Sequence, residues 1–287
     1  MNNEVTIQQA IAAIRQRLAD KYSRGEIDGF VRIIFRQLMN YESVDILMHK
    51  DSILPDFIVE KIGKVIDQLL DDCPIQYIFG TAHFYGYDFG VNEFTLIPRP
   101  ETEELVDLIV AENKASDLQV MDAGTGSGCI AISLALTLKF AEVTAIDVSD
   151  GALQRAEQNA KDLKAKVRFK KQDILTLQPV ENSWDIIVSN PPYIIESERE
   201  QMDPNVLDYE PSTALFVPNN DPLKFYRPLA EYGAVALKNG GHLYFEINRA
   251  FHREIVEMLE SLGYKDIDDI RDFYGNYRFV KATKLAD

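Results

Sequence analysis

Residues 186–193 read IIVSNPPY, and this segment is the most informative about the architecture of the chain. Its first four residues form an apolar run typical of a strand buried inside a parallel sheet. Two consecutive prolines cannot continue a sheet, so the chain leaves it at Asn190. The exit point of such a strand lies at the carboxyl edge of the sheet, where open α/β folds bind their ligands. The stretch therefore predicts a parallel sheet with a ligand site at that edge.

Strand and helix patterns alternate around this stretch, from about residue 117 onward. Such alternation is typical of a mostly parallel sheet with helices on both faces. After Gly275 the last two strands follow each other with no room for a crossover helix, so we expect an antiparallel pair there. The candidate strands are Gln119–Asp122, Val143–Ile146, Val167–Lys170, Asp185–Ser189, His242–Ile247, Asp266–Ile270 and Tyr277–Ala282, and the helices between them include Pro222–Leu237 and Phe251–Leu262.

The N-terminal part of the chain has helical rather than alternating periodicity. Apolar stripes at helical spacing predict a small bundle over residues 1–73, and Pro55 fits the first turn of one of its helices. Aromatic residues and glycines then predict a β-hairpin linker over residues 74–98. The rest of the chain, residues 99–287, forms the predicted α/β domain. Since the bundle has no ionisable cluster of its own, we expect it to dock a partner or to support the second domain.

A glycine-rich turn, DAGTGSG, follows the first predicted strand. Glycines let the backbone approach a ligand closely, and the next helix offers free N–H groups. Asp147 ends the second strand, where a carboxylate can accept from ribose hydroxyls, so we expect an adenosine-containing cofactor. Asp122 could accept from a ligand ammonium group. The alternative is an ordinary glycine-rich turn with a solvated aspartate. The candidate cofactor contacts here are Asp122, Gly124, Thr125, Gly126, Ser127, Gly128 and Asp147.

The third predicted strand is followed by Asp173 and Ile174. At the same edge of the sheet, Asp173 would lie near an adenine amino group and Ile174 against the face of the ring. An aspartate after a strand is also a common turn residue, so both interpretations stay open.

The NPPY tetrapeptide offers hydrogen-bond acceptors at this edge. The Asn190 side-chain oxygen and the Pro191 carbonyl could bind both hydrogens of a planar –NH2 group, which predicts recognition of an amide or an exocyclic amine. The alternative is a turn that only ends the strand. We take Asn190, Pro191 and Tyr193 as candidate catalytic residues. Pro192 joins them as a substrate contact, and Asn190 is counted with the cofactor contacts as well.

Composition limits the partners and the compartment. The net charge is −16, of which residues 1–75 contribute −3 and residues 76–287 contribute −13. Such acidity argues against stable nucleic-acid binding and suits a basic protein partner.

Cys73 and Cys129 are expected to be reduced thiols, no metal site is expected, and the four histidines are taken as structural. With no apolar run of membrane-spanning length and no signal peptide pattern, we expect a cytoplasmic protein.

These motifs together resemble the class I S-adenosylmethionine-dependent methyltransferases that act on amide or amino nitrogens. The segment from Gln76 to Val106, which includes IPRPETE at residues 97–103, is similar to the peptide chain release factor glutamine methyltransferases, the PrmC or HemK family. That family also has an N-terminal helical domain. The chain departs from the family pattern at Asn248 and at residues 217–220.

The resemblance implies a seven-stranded, mostly parallel Rossmann-like sheet with an N-terminal helical bundle joined by a β-hairpin. It implies that S-adenosylmethionine methylates the glutamine of the Gly-Gly-Gln motif in class I release factors and leaves S-adenosylhomocysteine. Three alternatives remain. They are methylation of a ribosomal protein glutamine, amino methylation of a nucleic-acid base after base flipping, and a non-catalytic nucleotide-binding scaffold.

Overall fold

The computed structural model describes residues 4–285 and divides the chain into two compact units. The first unit is the chain up to Gly80 together with Pro204–Tyr209. The second unit is Thr81–Asp203 and the chain from Glu210 onward. None of the helices formed by residues 4–285 has the length and apolar character required to cross a membrane.

The first unit is helical, and side chains at the helix ends explain where its first two helices begin. Thr6 accepts a hydrogen bond from the Gln9 amide, and Ser23 accepts one from the Glu26 amide. The side chains of Gln9 and Glu26 accept from the Thr6 and Ser23 amides in return, which completes two capping boxes. The helices are α1 (Ile7–Leu18), α2 (Arg24–Met39), α3 (Ser43–Met48), α4 (Asp56–Leu70) and α5 (Ile75–Phe79).

The apolar stripes predicted for the first unit form its core. Burying such stripes against each other supplies most of the stability of short helices. The side chains of Ile14, Ile34 and Leu69 are completely or almost completely buried there. Tyr22 joins the same core and donates its hydroxyl hydrogen to the Leu69 carbonyl at 2.7 Å.

The helix α5 corrects the prediction that residues 74–98 form only a hairpin linker. Pro74 precedes the helix, and Gly80 ends it in the left-handed region at φ 66°. A helical turn fits this short stretch because proline favours a helix start and glycine favours its end. The predicted hairpin follows as Thr81–Phe84 paired with Tyr87–Gly90, and it belongs to the second unit.

The second unit contains the predicted alternation of strands and helices. Its β1 and β2 are the two hairpin strands just described, Thr81–Phe84 and Tyr87–Gly90. The later elements in chain order are α6 (Pro100–Glu112), β3 (Gln119–Ala123), α7 (Cys129–Thr137), β4 (Glu142–Asp147), α8 (Asp150–Asp162), β5 (Val167–Lys171), β6 (Trp184–Ser189), β7 (Ile194–Ile195), α9 (Pro204–Leu207, in the first unit), α10 (Ser212–Leu215), β8 (Phe216–Val217), α11 (Tyr226–Ala236), β9 (Leu237–Glu246), α12 (His252–Ser261), β10 (Lys265–Arg271) and β11 (Tyr277–Thr283).

The main sheet has seven strands in the order β5-β4-β3-β6-β9-β11-β10. The strands from β5 to β9 are parallel, and β11 runs antiparallel to both of its neighbours. The predicted sheet and its antiparallel C-terminal pair are therefore confirmed. The chain moves outward from β3 to β5 and then returns to β6 on the other side of β3. This switch opens a crevice at the carboxyl ends of β3 and β6.

Both faces of the sheet are covered. Neighbouring residues of one strand point to opposite faces, and Ile186 and Ile187 in β6 accordingly pack into two different apolar clusters. The hairpin, α6 and α7 contribute to the Ile186 cluster, whereas α11 and α12 contribute to the Ile187 cluster. A sheet buried on both sides leaves its carboxyl edge as the place for a ligand.

Candidate active site

A cleft that is partly open to solvent lies at the carboxyl edge of the sheet. The ends of the four strands β3 to β6 reach it, as expected for a switch-point crevice. Of the predicted site residues, those that line it are Gly124, Thr125, Gly126, Ser127, Asp147, Asp173, Ile174, Asn190 and Pro192. Phe94, Leu96, Pro98, Arg99, Thr102 and Phe225 line it as well.

The glycine turn forms one side of the cleft. Gly124, Gly126 and Gly128 have φ values of 76°, 54° and 82°, a region that favours glycine. A Cβ at residue 128 would lie only 3.0 Å from the Cβ of Ala156, so the turn also packs too closely on α8 for a side chain. Beyond the turn, α7 begins at Cys129 and presents its N-terminal end toward the cleft, which Cys129 and Ile130 line.

Asp122 lies beneath the glycine turn and does not line the cleft. Its Oδ2 accepts from the Thr125 hydroxyl at 2.6 Å and from the Ala131 amide at 3.2 Å, whereas its buried Oδ1 has no hydrogen-bond partner among residues 4–285. Burial raises the pKa of Asp122 to about 7, with a smaller contribution from the Asp147 charge, although both hydrogen bonds oppose the rise. This carboxyl group thus braces the turn from below.

Asp147 ends β4 at the wall of the cleft. Its Oδ2 accepts from the Gly126 amide and its Oδ1 from the Ser149 amide, each at 2.9 Å. These bonds fix the carboxylate against the glycine turn. Since each carboxylate oxygen can accept more than one hydrogen bond, Asp147 keeps capacity for a ligand hydroxyl.

Asp173 and Ile174 follow β5 on the same wall. The Asp173 Oδ1 accepts from the Leu175 amide at 2.9 Å and caps a short 3₁₀ turn. Ile174 is buried, and a Cβ at residue 124 would lie 3.6 Å from its Cδ1. A glycine at 124 therefore keeps a gap open between the turn and this apolar side chain.

Asn190 lies where β6 ends, next to the end of β3 that leads into the glycine turn. Its Nδ2 donates to the Thr102 hydroxyl oxygen at 3.4 Å. Pro192 lines the cleft next to Asn190, whereas Pro191 is buried. Tyr193 does not line the cleft, because its ring packs against the core beside α11 and α12 and its hydroxyl donates to Glu246 at 3.1 Å.

Glu246 is a buried carboxylate at the end of β9, and three hydroxyl groups surround it. Thr102 donates to its Oε2 at 2.7 Å, Tyr193 donates to its Oε1, and Tyr226 donates to its backbone carbonyl at 3.0 Å. Burial raises the pKa of Glu246, although Thr102, Tyr193 and the Arg278 charge oppose the rise. Burial and the Glu246 charge also raise the pKa of Tyr193. The carboxylate thus joins α6 to the NPPY segment.

Asn248, where the chain departs from the family pattern, supports the NPPY segment from another side. Its Nδ2 donates to the Tyr193 carbonyl at 3.2 Å and to Glu198 at 2.9 Å. The same Glu198 oxygen accepts from the Ile195 amide at 3.0 Å. This asparagine therefore connects the end of β9 to Tyr193, the last residue of NPPY, and to Glu198, five residues further along the chain.

Arg99 and Glu210 fix the segment that leads into α6. The Glu210 side chain is almost completely buried, and it accepts from the Arg99 guanidinium at 2.5 Å and from the Ile97 amide at 3.1 Å. Arg99 lines the cleft, so this ion pair shapes its rim.

Asn159 is a positioning residue that the sequence analysis missed. Its Nδ2 donates to the carbonyls of Gly90 and Ser127 at 2.9 and 2.8 Å, and its Oδ1 accepts from the Gly90 amide at 2.8 Å. One side chain therefore ties the hairpin and the glycine turn to α8. A signal was present, because Asn159 continues the stripe formed by Ala152 and Ala156, where an apolar residue is expected.

The comparisons with known proteins agree with this geometry. Residues 114–266 match the family described as "Methyltransferase domain", and residues 9–80 match the "PrmC N-terminal domain". A "Release factor glutamine methyltransferase" of Bacteroides thetaiotaomicron is 46% identical over 95% of this chain and 98% of its own length. One of the same name from Flavobacterium psychrophilum is 45% identical over 93% and 95%.

A solved structure supports the fold alone. The methyltransferase from Pyrococcus furiosus is similar with a TM-score of 0.53 at 20% identity, and the match covers 77% of this chain and 98% of that one. Sheet order, glycine turn and NPPY segment define a class I S-adenosylmethionine-dependent methyltransferase. Within that class, the identity to the curated relatives is decisive. The chain belongs to the family of release factor glutamine methyltransferases.

Proposed function

We propose that this protein transfers the methyl group of S-adenosylmethionine to the side-chain amide nitrogen of the glutamine in the Gly-Gly-Gln motif of class I release factors. The observation that carries the proposal is that Asn190 and Pro192 line the same cleft as the glycine turn. The proposed acceptor for the substrate amide and the proposed binding loop for the cofactor therefore line the same cleft. The relatives named above support the choice of substrate.

The residues of the cleft fit S-adenosylmethionine. Gly124 and Gly126 keep the turn open, Asp147 offers an acceptor for ribose hydroxyls, and Ile174 offers an apolar surface for the adenine. The cofactor supplies an electrophilic methyl group bonded to a positively charged sulfur. We assign Asp173 to the adenine amino group. Asp122 acts through the turn that it braces, because its carboxyl group is completely buried and does not line the cleft.

The chain's contribution to the reaction is mainly to position the substrate. A glutamine amide is a poor nucleophile because its lone pair is delocalised into the carbonyl, so orientation must supply much of the rate. In our proposal the Asn190 oxygen and the Pro191 carbonyl accept the two amide hydrogens. These acceptors also stabilise the positive charge that develops on nitrogen during transfer. Pro192 completes the contact, and Tyr193, whose ring packs against the core rather than into the cleft, holds the NPPY segment through its hydrogen bond to Glu246.

No side chain is assigned as a strong base. The amide nitrogen would become positively charged as its bond to the methyl carbon forms and the sulfur–methyl bond breaks, and one of its protons would then pass to water, since the cleft is partly open to solvent. Two of the buried acids, Asp122 and Glu246, are engaged by hydroxyl groups of the chain, which supports structural rather than proton-transfer roles for them.

The partner is a release factor, and we assign its docking to the helical unit, residues 1–73 in the domain division proposed from sequence. The net charge of −16 supports a protein partner rather than stable nucleic-acid binding. Cys73 and Cys129 are free thiols, as expected in the cytoplasm, which stays the predicted compartment.

The proposal is tested with radiolabelled S-adenosylmethionine and purified release factor. We expect label on the wild-type factor and none on a factor whose Gly-Gly-Gln glutamine is replaced by alanine. A ribosomal protein and duplex DNA are offered in parallel reactions. Label on either of these, or on the alanine factor, would contradict the proposed substrate.

The role of Asn190 is tested separately from the choice of substrate. We expect Asn190→Ala to lower kcat by about a hundredfold while the affinity for S-adenosylhomocysteine changes less than about twofold. The matched control is Gln178→Ala, an exposed amide outside the cleft, which should leave both values unchanged. An equal loss of catalysis and of cofactor affinity would show that Asn190 acts on the cofactor instead.

A further inference from the structure

A chain of hydrogen bonds leads from the buried Glu246 through Thr102 to Asn190, which lines the cleft. Thr102 contacts both residues, with its hydroxyl 2.7 Å from Glu246 Oε2 and 3.4 Å from Asn190 Nδ2. The side chains of Thr102 and Glu246 are almost completely buried. Thr102 and Glu246 lie 144 residues apart in sequence, so only the fold brings this arrangement together.

The direction of this chain follows from the number of hydrogens available. Thr102 donates to Glu246 Oε2, and a threonine hydroxyl has a single hydrogen. The hydroxyl must therefore give that hydrogen to Glu246, and it offers only a lone pair to Asn190. Asn190 can meet a lone pair with its Nδ2 group but not with its oxygen, because two acceptors would then face each other. The side-chain amide consequently has one favoured orientation.

We propose that Thr102 and Glu246 are positioning residues that fix the amide orientation of Asn190, so that its oxygen faces the cleft as an acceptor for a substrate –NH2 group. The inference rests on the proposed function, in which Asn190 accepts a hydrogen from the substrate amide. It adds a structural reason why Asn190 presents an acceptor, and not a donor, to the substrate. With the amide reversed, the cleft would present a donor and would suit a carbonyl or hydroxyl oxygen instead.

The surroundings of Glu246 support a carboxylate that directs rather than reacts. Both of its oxygens receive a hydroxyl hydrogen, from Thr102 and from Tyr193. Burial raises the pKa of Glu246, whereas both hydroxyl groups and the Arg278 charge oppose the rise, and Tyr226 donates to the backbone carbonyl of the same residue. The carboxylate does not line the cleft, so it acts through Thr102.

The first test replaces Thr102. Thr102→Val removes the hydroxyl at nearly constant volume, and we expect kcat to fall about tenfold with KM for the cofactor nearly unchanged. Thr102→Ser keeps the hydroxyl and should restore most of the activity. Thr137→Val, at the exposed end of α7, is the matched control and should equal wild type. Equal activities of the valine and serine variants at residue 102 would overturn the proposal.

A double mutant separates positioning from general support of the fold. If Thr102 acts only through Asn190, Thr102→Val should change kcat less than about twofold in an Asn190→Ala background. A further drop of about tenfold in that background would mean that Thr102 contributes by another route, and would contradict the inference.

A spectroscopic measurement makes the inference independent of the substrate. In protein labelled with isotopic asparagine, the Asn190 amide signal is assigned by its absence in Asn190→Ala. We expect this signal to shift in Thr102→Val and in Glu246→Gln, and not in the control Glu231→Gln on the exposed side of α11. An unchanged signal in both test variants would overturn the inference. A shifted signal in a protein that fails to methylate release factor would instead overturn the proposed function alone.

Discussion

Among single residues of the second unit, Asp122 has an unusual protonation equilibrium. It is completely buried, one of its oxygens has no partner within the part of the chain that the structure describes, and burial raises its pKa to about 7. A residue of this kind is neutral over much of the acidic range, whereas the same residue in the unfolded chain ionises near its ordinary value of 3.8. The free energy of unfolding must therefore depend on pH through this one group.

We predict that ionisation of Asp122 destabilises the fold as the pH rises. Because its folded pKa is raised, the stabilising contribution of the neutral form is complete below about pH 4 and is lost as the pH rises through about 7. The loss is on the order of 4 kcal/mol at most. Urea unfolding of wild type and Asp122→Asn across this pH range measures it.

The asparagine variant is informative because its oxygen can still accept from Thr125 and Ala131. The difference in unfolding free energy between the two proteins should change with pH, whereas the exposed control Asp203→Asn should give a constant difference. A constant difference for Asp122→Asn as well would mean that the carboxyl group ionises normally.

At the scale of elements, the cleft depends on contacts that tie the hairpin and α8 to the glycine turn. Asn159 makes three hydrogen bonds across these elements. We predict that Asn159→Ala lowers the free energy of unfolding by about 2–4 kcal/mol, because buried backbone groups of Gly90 and Ser127 lose their partner. Cofactor affinity should fall with it. The neighbouring exposed residue provides the control, and Gln158→Ala should cost less than about 0.5 kcal/mol in chemical denaturation.

A second element-scale contact is the close approach of Phe94 to α8. A Cβ at residue 151 would lie 2.4 Å from the Phe94 ring, which lines the cleft. We predict that Gly151→Ala displaces this ring and weakens S-adenosylhomocysteine binding by about tenfold, measured by calorimetry. Gly63→Ala in α4 has open space around it, so it should leave binding unchanged and raise stability by about 0.5–1 kcal/mol. Unchanged binding in Gly151→Ala would exclude the ring from the cofactor site.

Most helices and strands could be predicted from the sequence, and the features that could not be predicted have physical reasons. Strand β6 could be predicted because a run buried on both faces is continuously apolar and then meets two prolines. Helix α5 was missed because its five residues are too few to show a helical period. Asn159 was missed because a polar residue in an apolar stripe acquires meaning only when its partners, 69 residues away at Gly90, are known.

At the scale of the whole molecule, the acidity of the chain has a measurable consequence for the proposed partner. Long-range attraction between an acidic enzyme and a basic protein weakens as salt screens it. We predict that KM for the release factor rises several-fold between about 50 and about 300 mM salt, with kcat and cofactor affinity nearly constant. Steady-state kinetics at varied release factor concentration measures this. A KM that stays constant or falls with salt would argue that docking does not use the acidic surface.

The architecture of the whole molecule was predictable where it follows from local pattern, and less so where distant segments meet. The sheet, its reversed C-terminal pair and the edge that holds the cleft all follow from the order of strands and helices. The grouping of Pro204–Tyr209 with the first unit has no local signature, since the segment lies between stretches of the second. The bond between Thr102 and Glu246 likewise exists only after folding.

The hydrogen bond between the Gly90 amide and Asn159 also makes the exchange rate of that amide hydrogen a measure of local opening. The Gly90 amide donates to a side chain of α8 rather than to its hairpin partner. Its exchange with heavy water therefore requires α8 and the hairpin to separate, and fraying of the hairpin alone is not enough. The Asn159 amide also holds the Ser127 carbonyl, so the same separation loosens the glycine turn. A ligand that closes the turn should slow deuterium uptake at this distant glycine.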